Sequence, residues 1–370
     1  MTKRSPPRPP TPDGLPGELS GDGAEGKATV NINDVAEKAG VSIATVSRVL
    51  NGGTLVRPQT RERVLEVVRQ LEYTPNASAR SLSSRRTETL GAVLPALHGE
   101  FYSELLRGLD LAARRAGFHL LVSGSHSDRQ EVEAVLRAFR GRVDALVLMF
   151  PDLDPVSLAP QLHGLPVVLV NCGLAGRDFD RVAIDNYDGA AQVVRHLWEL
   201  GHRRIAFLAG PAFNYDAGER RRGYLETLRL LGSDIEPQIF EGAFTEESGY
   251  HAAAALLRAN ERATALFAAN DAMAIGCLAA LHEKGLEVPR DLSLVGFDDI
   301  PAARYVRPPL TTVKVPIAEL GERAMALALA RVMGQGEGGP LAATIPVHLL
   351  RRASCAPPQA PRRAHETQLV

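Results

Sequence analysis

Between about residues 90 and 350, short apolar runs alternate with longer stretches of helical periodicity, and this alternation limits the possible fold more than any other feature of the sequence. The apolar runs at 90–94, 118–122, 145–150, 167–170, 205–208, 265–268 and 292–296 have the length of strands. Between them apolar residues recur at helical spacing, as in Phe101, Leu105, Leu109 and Ala112, or Val132, Val135, Leu136 and Phe139. Strands alternating with helices of this length predict parallel sheets covered on both faces, an α/β architecture. At 370 residues the chain is also longer than one ordinary core supports, so more than one domain is expected.

Common signatures of chemistry on such sheets are missing. No GxGxxG follows the first strand, and there is no GxxxxGK[ST], HExxH or GxSxG. No nucleophile–base pairing or cofactor loop is evident, so the chain is not expected to be an enzyme, and no cofactor is expected. Cys172, Cys277 and Cys355 lie far apart with no CxxC pair, which points to neither a disulfide scaffold nor a metal site. Residues 1–27 lack the apolar run of a signal peptide, and no run of 18 apolar residues offers a membrane span, so a cytoplasmic protein is expected. The Pro/Gly-rich segment 1–28 and the polar tail 357–370 read as disordered.

Residues 29–88 have a different texture, short and helical, with nine Lys/Arg against six Asp/Glu although the whole chain carries a formal charge of -1. Asn31, with Asp34 three residues on, forms a capping pattern before a first helix, and Val35, Ala36 and Ala39 give that helix an inner face. Gly40 permits a tight turn, and Ser42 can cap a second helix whose Val46, Val49 and Leu50 point inward. Two short helices joined in this way form a helix-turn-helix. The outward face of the second carries Ile43, Ala44, Thr45, Ser47 and Arg48, suited to thymine methyls, phosphate oxygens and a guanine edge.

The segments DVAEKAGVSIATVSRVLN (34–51) and TRERVLEVVRQLEYTPNASARSL (60–82) resemble the LacI/GalR headpiece and hinge over their whole length. That resemblance implies that Ile43, Ala44 and Arg48 read bases in the major groove, that Ser42, Ser47 and Asn51 contact phosphates, and that a third helix runs over 60–71. Thr60, Asn76 and Arg80 join the implied DNA contacts. Residues 76–88 would be a hinge helix and linker following a headpiece at 29–75, with Leu82 wedged into the minor groove of a pseudo-palindromic operator bound by a homodimer. Arg85 and Arg86 would meet phosphates. So short a helix should order mainly on binding.

The same resemblance implies a two-lobed periplasmic-binding-protein-like core over 89–356, the first lobe at about 89–186 and 316–344, the second at about 187–315 and 345–356. Ligands of open parallel sheets bind beyond the carboxyl ends of the strands. Asn171, Asp185, Asn270, Asp271 and Asp298 follow strand candidates, while Arg220 opens a helix near Asn214 and Asp216. Within the family pattern Arg220 is a ligand clamp, Asn270 and Asp298 bind hydroxyls, and Phe267 packs a flat ligand. Asn171 stands where an aspartate is common, and Phe101 and Tyr102 lie after the first strand. Trp198 reads as packing. The expectation is a ligand-controlled regulator, a repressor, sensing a sugar or sugar derivative.

Overall fold

The computed structural model describes residues 30–50, 52, 55–74, 86–126, 128–150, 159–162, 164–173, 178–232, 235–259, 263–335 and 338–359. Asn51, Asn76, Arg80, Leu82 and Arg85, with most of both expected tails, lie outside these residues. Of the C-terminal tail, 357–359 are irregular, with Pro358 beside Gly201. Two compact units divide at residue 80.

The first unit contains three helices. α1 (Ile32–Ala39) begins with a full capping box, in which Asn31 Oδ1 accepts from the Asn33 and Asp34 amides while Asp34 Oδ2 accepts from the Asn31 amide at 2.8 Å. It ends on Gly40, whose φ of 63° is the left-handed conformation that only a residue without Cβ adopts freely. α2 (Ile43–Leu50) follows at once. α3 (Pro58–Gln70) begins two residues earlier than the sequence predicts, because Pro58 occupies a first-turn position where its missing N–H costs nothing. Arg57 at its N-cap makes no side-chain cap bond. Val35, Val46, Val49, Val64 and Val67 form the small core these helices share.

The second unit contains two sheets. β1 (Thr89–Leu94), α4 (Glu100–Arg115), β2 (His119–Gly124), α5 (Arg129–Phe139), β3 (Ala145–Leu148), α6 (Ala159–Leu162), β4 (Val167–Val170) and β5 (Asp180–Ile184) make most of the first lobe. The chain then crosses into α7 (Asn186–Glu199), β6 (Ile205–Ala209), α8 (Tyr215–Leu231), β7 (Gln238–Glu241), α9 (Glu246–Arg258), β8 (Ala265–Ala268), α10 (Asp271–Glu283), β9 (Ser293–Asp298) and β10 (Thr311–Lys314). It returns for α11 (Ile317–Val332) and β11 (Ala342–Ile345), and crosses once more into β12 (His348–Leu350). The strand orders are β11-β5-β4-β3-β1-β2 and β12-β10-β9-β8-β6-β7, parallel throughout except for β12 against β10. In each sheet the order reverses around the first strand, which opens a crevice at the carboxyl ends.

Central strands are buried along their whole length, hence their continuous apolar runs. α11 packs on α4 and on β3–β5, and the two helices touch at their backbones: a Cβ on Gly108 would collide with the Ala318 carbonyl, and one on Gly321 with the Leu105 carbonyl. β7, β10, β11 and β12 are absent from the predicted strands. They are three or four residues long, and most mix polar with apolar residues, too little for a periodicity to register.

Candidate functional site

Two surfaces carry the predicted residues, one in each unit. On α2, Ile43 is 48% exposed, Ala44 and Arg48 are exposed, and Val46 and Val49 are buried, so the outer face is the one the sequence assigns to base reading. Arg48 makes no ion pair among the described residues. Ser42 Oγ accepts from the Thr45 amide at 3.3 Å and lies 2.9 Å from Thr45 Oγ1, which makes it the helix cap. Ser47 is half-buried on α2, and Thr60 is half-buried in the first turn of α3.

In the second unit, the carboxyl ends of the strands bring Asn171, Asp216, Arg220 and Asp298 together with Asn186, which the sequence reading did not single out. Asn171 follows β4 with φ 49°, a left-handed conformation that asparagine tolerates. Its Oδ1 accepts from the Ile184 amide at 3.3 Å, and its Nδ2 donates to Asp216 Oδ2 at 2.9 Å. The other carboxylate oxygen of Asp216 accepts from Asn186 Nδ2 at 2.7 Å, and Asn186 Oδ1 accepts from Arg220 Nε at 2.7 Å. Arg220 Nη1 donates to the Ala269 carbonyl, and the guanidinium carbon lies 3.8 Å from the centre of the Phe297 ring. Nη2 is 3.1 Å from Asp298 Oδ1, close enough for an ion pair but not aligned as a hydrogen bond, so this buried oxygen has no hydrogen-bond donor among the described residues.

Arg220 is 3% exposed, and Asp216 and Asp298 5% each. Burial pushes the carboxyls of both Asp216 and Asp298 up to about 6, and Arg220 opposes the rise in each. Asp271 is raised well above the usual carboxylate range, first by burial and then by the charge of Asp298; its oxygens accept from Thr312 Oγ1 and the Ile300 amide.

Other candidates serve the fold. Asn270 caps α10, accepting from the Met273 amide at 2.9 Å, and its Nδ2 donates to the Phe244 carbonyl at 3.0 Å. Asp185 caps α7 through the Asp188 amide. Phe267 does not reach the cleft: it is wholly enclosed within β8, its ring 5.0 Å from that of Phe207. The aromatic rings nearest the guanidinium are Phe297 and, at 5.8 Å, Phe244. Phe101 and Tyr102 belong to the first turn of α4, in edge-to-face contact and half-buried, rather than to a loop. Trp198 packs as expected, with Arg203 over its ring at 3.9 Å. After β5 the sequence singles out Asp185, whereas Asn186 is the first residue of α7 and carries no separate signal. Among the described residues no cluster of His, Cys, Asp or Glu is arranged to hold a metal ion, and no helix is long and apolar enough to cross a membrane.

Comparison with known proteins agrees with both halves of this geometry. Residues 31–76 match the family of bacterial regulatory proteins, lacI family, and residues 194–355 match a periplasmic binding protein-like domain. The chain is 39% identical over 315 residues to the HTH-type transcriptional regulator GalS of Salmonella typhimurium strain LT2, covering 84% of this chain and 91% of that relative. It is 35% identical over 311 residues to the HTH-type transcriptional repressor PurR of Haemophilus influenzae strain PittEE, covering 83% and 92%. Among solved structures, the Lac repressor dimer bound to operator and the anti-inducer ONPF superposes with a TM-score of 0.81 at 30% identity, covering 88% of this chain and 99% of that one.

Proposed function

This chain belongs to the LacI family of DNA-binding bacterial transcriptional regulators, and from that premise we propose that it works as a homodimeric repressor whose grip on a pseudo-palindromic operator is set by a sugar or sugar derivative held between the lobes of its core. The α2 face of Ile43, Ala44 and Arg48 reads base edges, with Ser47, Asn51, Thr60, Asn76 and Arg80 at the backbone and Leu82 as the minor-groove wedge. Ser42 contributes as the cap that sets the start of α2.

The observation that carries the effector reading is the Arg220–Asp298 pair at the carboxyl ends of the second sheet, with a buried Asp298 oxygen that lacks a hydrogen-bond donor among the described residues. A buried acceptor left without a donor costs about 1–3 kcal/mol, so a ligand that donates there gains affinity. A hydroxyl can donate to Asp298 while accepting from Arg220; a phosphate dianion can only accept. This supports a hydroxyl-bearing ligand, with Phe101 and Tyr102 of the first lobe offering apolar cover.

The test is a thermal-shift screen of galactose, glucose, cellobiose, adenine and hypoxanthine, followed by operator binding on a site selected from random DNA. A sugar that raises the melting temperature and changes operator affinity is the expected result. If a purine does so and no sugar does, the sugar assignment falls while the regulator assignment stands.

A further inference from the structure

We propose that Asn171 and Asp216 are a strut tying the two lobes together, positioning residues that aim Arg220 rather than groups that touch the effector. Asn171 follows β4 in the first lobe and Asp216 lies in the first turn of α8 in the second, so the 2.9 Å bond from Asn171 Nδ2 to Asp216 Oδ2 crosses between lobes. Both are buried, Asn171 completely. The lobes also meet beside it, where a Cβ on Gly173 would stand 3.1 Å from the Tyr215 ring. A second interlobe bond, from the Ala302 amide to Glu100 at 2.8 Å, is exposed and therefore shared with water.

The polarity of the strut is fixed at both ends. The Ile184 amide can only donate, so the Asn171 atom facing it is oxygen and the NH2 group turns to Asp216. Arg220 Nε can only donate, so Asn186 presents its oxygen to the arginine and its NH2 to Asp216. Asp216 therefore faces two N–H donors, one for each carboxylate oxygen, and an ionised carboxylate accepts from both. Each of the four polar ends of the two asparagines and each oxygen of Asp216 has a partner inside the protein. An aspartate at 171, the residue the family pattern favours, would place a second carboxylate against Asp216 and needs a donor at 216 instead.

That requirement supplies a test independent of any ligand, so it succeeds or fails separately from the sugar assignment. Asn171→Asp opposes two carboxylates, and Asp216→Asn leaves one of two facing NH2 groups without an acceptor. The combined swap, Asn171→Asp with Asp216→Asn, restores every bond with reversed polarity: the new carboxylate accepts from the Ile184 amide and from the new amide NH2, whose oxygen accepts from Asn186. Full-length wild type, both single variants and the swap are compared by thermal melting and by hydrogen exchange in peptides covering 171–186. The singles are expected to melt roughly 5 °C or more below wild type and to exchange faster there, while the swap returns to within about 2 °C of wild type with its protection restored. Singles indistinguishable from wild type, or a swap as impaired as the sum of the singles, would overturn the strut. If neither single variant folds, the swap decides alone, since it must fold and melt like wild type.

Discussion

Arg220→Ala appears at first to be a clean way to disable the sensor, but the structure predicts a large and pH-dependent cost to stability. The guanidinium is the only cation in contact with the buried carboxylate of Asp298 among the described residues, and it also supplies donors to Asn186 and the Ala269 carbonyl. Removing one partner of a buried ion pair typically costs about 3–5 kcal/mol because the other charge is stranded. At about 2–4 °C per kcal/mol for a domain of some 150–250 residues, the melting temperature should fall by very roughly 6–20 °C at pH 8. The stranded carboxylates can escape by binding protons. Asp216 and Asp298 are already raised to about 6 with the arginine present, so each contributes most to stability below its unfolded value near 4, and the contribution is lost as pH rises through 6. Arg220 holds both values down, so its removal carries that loss to higher pH. The variant's deficit should therefore be smallest near pH 5, where wild type also holds the protons and the loss of the bonds to Asn186 and the Ala269 carbonyl remains, and widen above pH 6. Arg220→Met combined with Asp298→Asn, which removes both charges, should recover much of the deficit at pH 8. Melting curves from pH 5 to 8 for the three proteins provide the measurement. A deficit at pH 8 no larger than at pH 5 would refute the buried ion pair as drawn.

Arg48→Ala should relax discrimination at one base pair of each half-site by about 1–3 kcal/mol if its contact is bidentate to guanine; equal weakening on specific and random DNA would make it a phosphate contact. Leu82→Ala should bend the operator less and lose specific affinity while retaining salt-dependent nonspecific binding, and the variant is refuted as a wedge if its bend angle by gel phasing matches wild type. Asn270→Ala removes the cap of α10 and should cost about 1 kcal/mol of stability, with ligand response persisting; a lost response at unchanged stability would return Asn270 to the ligand site.

What was legible in the sequence follows from how local each determinant is. The headpiece could be read almost residue by residue because its devices act within four positions: the Asn31–Asp34 capping box, the Gly40 turn and the buried valines at helical spacing. Central strands were equally visible, with 167–170 and 265–268 matching at both ends, since burial on both faces forces an unbroken apolar run. The edge strands β7 and β11 are half-exposed, so their composition carries no such mark. Phe267 was misplaced for a geometric reason. It lies inside β8, whereas a ligand beyond a sheet meets residues at or past the strand ends, as Phe297 and Asp298 are at the end of β9. Nothing in a one-dimensional pattern records how far a side chain stands from that edge.

The remaining difficulty concerns hydrogen-bond capacity, and it explains why a list of polar residues after strands overstates a binding site. Sequence shows that Asn171, Asp185, Asp216, Asn270 and Asp298 could each meet a ligand, but a buried polar group must first be satisfied by the protein itself. One oxygen of Asp185 and the side chain of Asn270 serve helix amides, and Asp216 takes Asn171 and Asn186, partnerships that span up to 45 residues of sequence. Asp298 differs: its φ of 113° is a conformation that side chains rarely adopt, its Oδ1 has a charge beside it but no donor among the described residues, and it sits against Arg220, which links the strut to the second sheet. Backbone strain and an unmet acceptor at the same residue are each costs to the unliganded fold, and both concentrate at functional positions. On the proposed reading, a ligand hydroxyl placed there would relieve the second cost directly, on a guanidinium that the proposed strut would orient. Effector binding and lobe spacing would then share one chain of polar contacts, with hydrogen bonds linking Asn171, Asp216, Asn186 and Arg220 and an ion pair from Arg220 to Asp298, which is the physical coupling a ligand-controlled regulator requires.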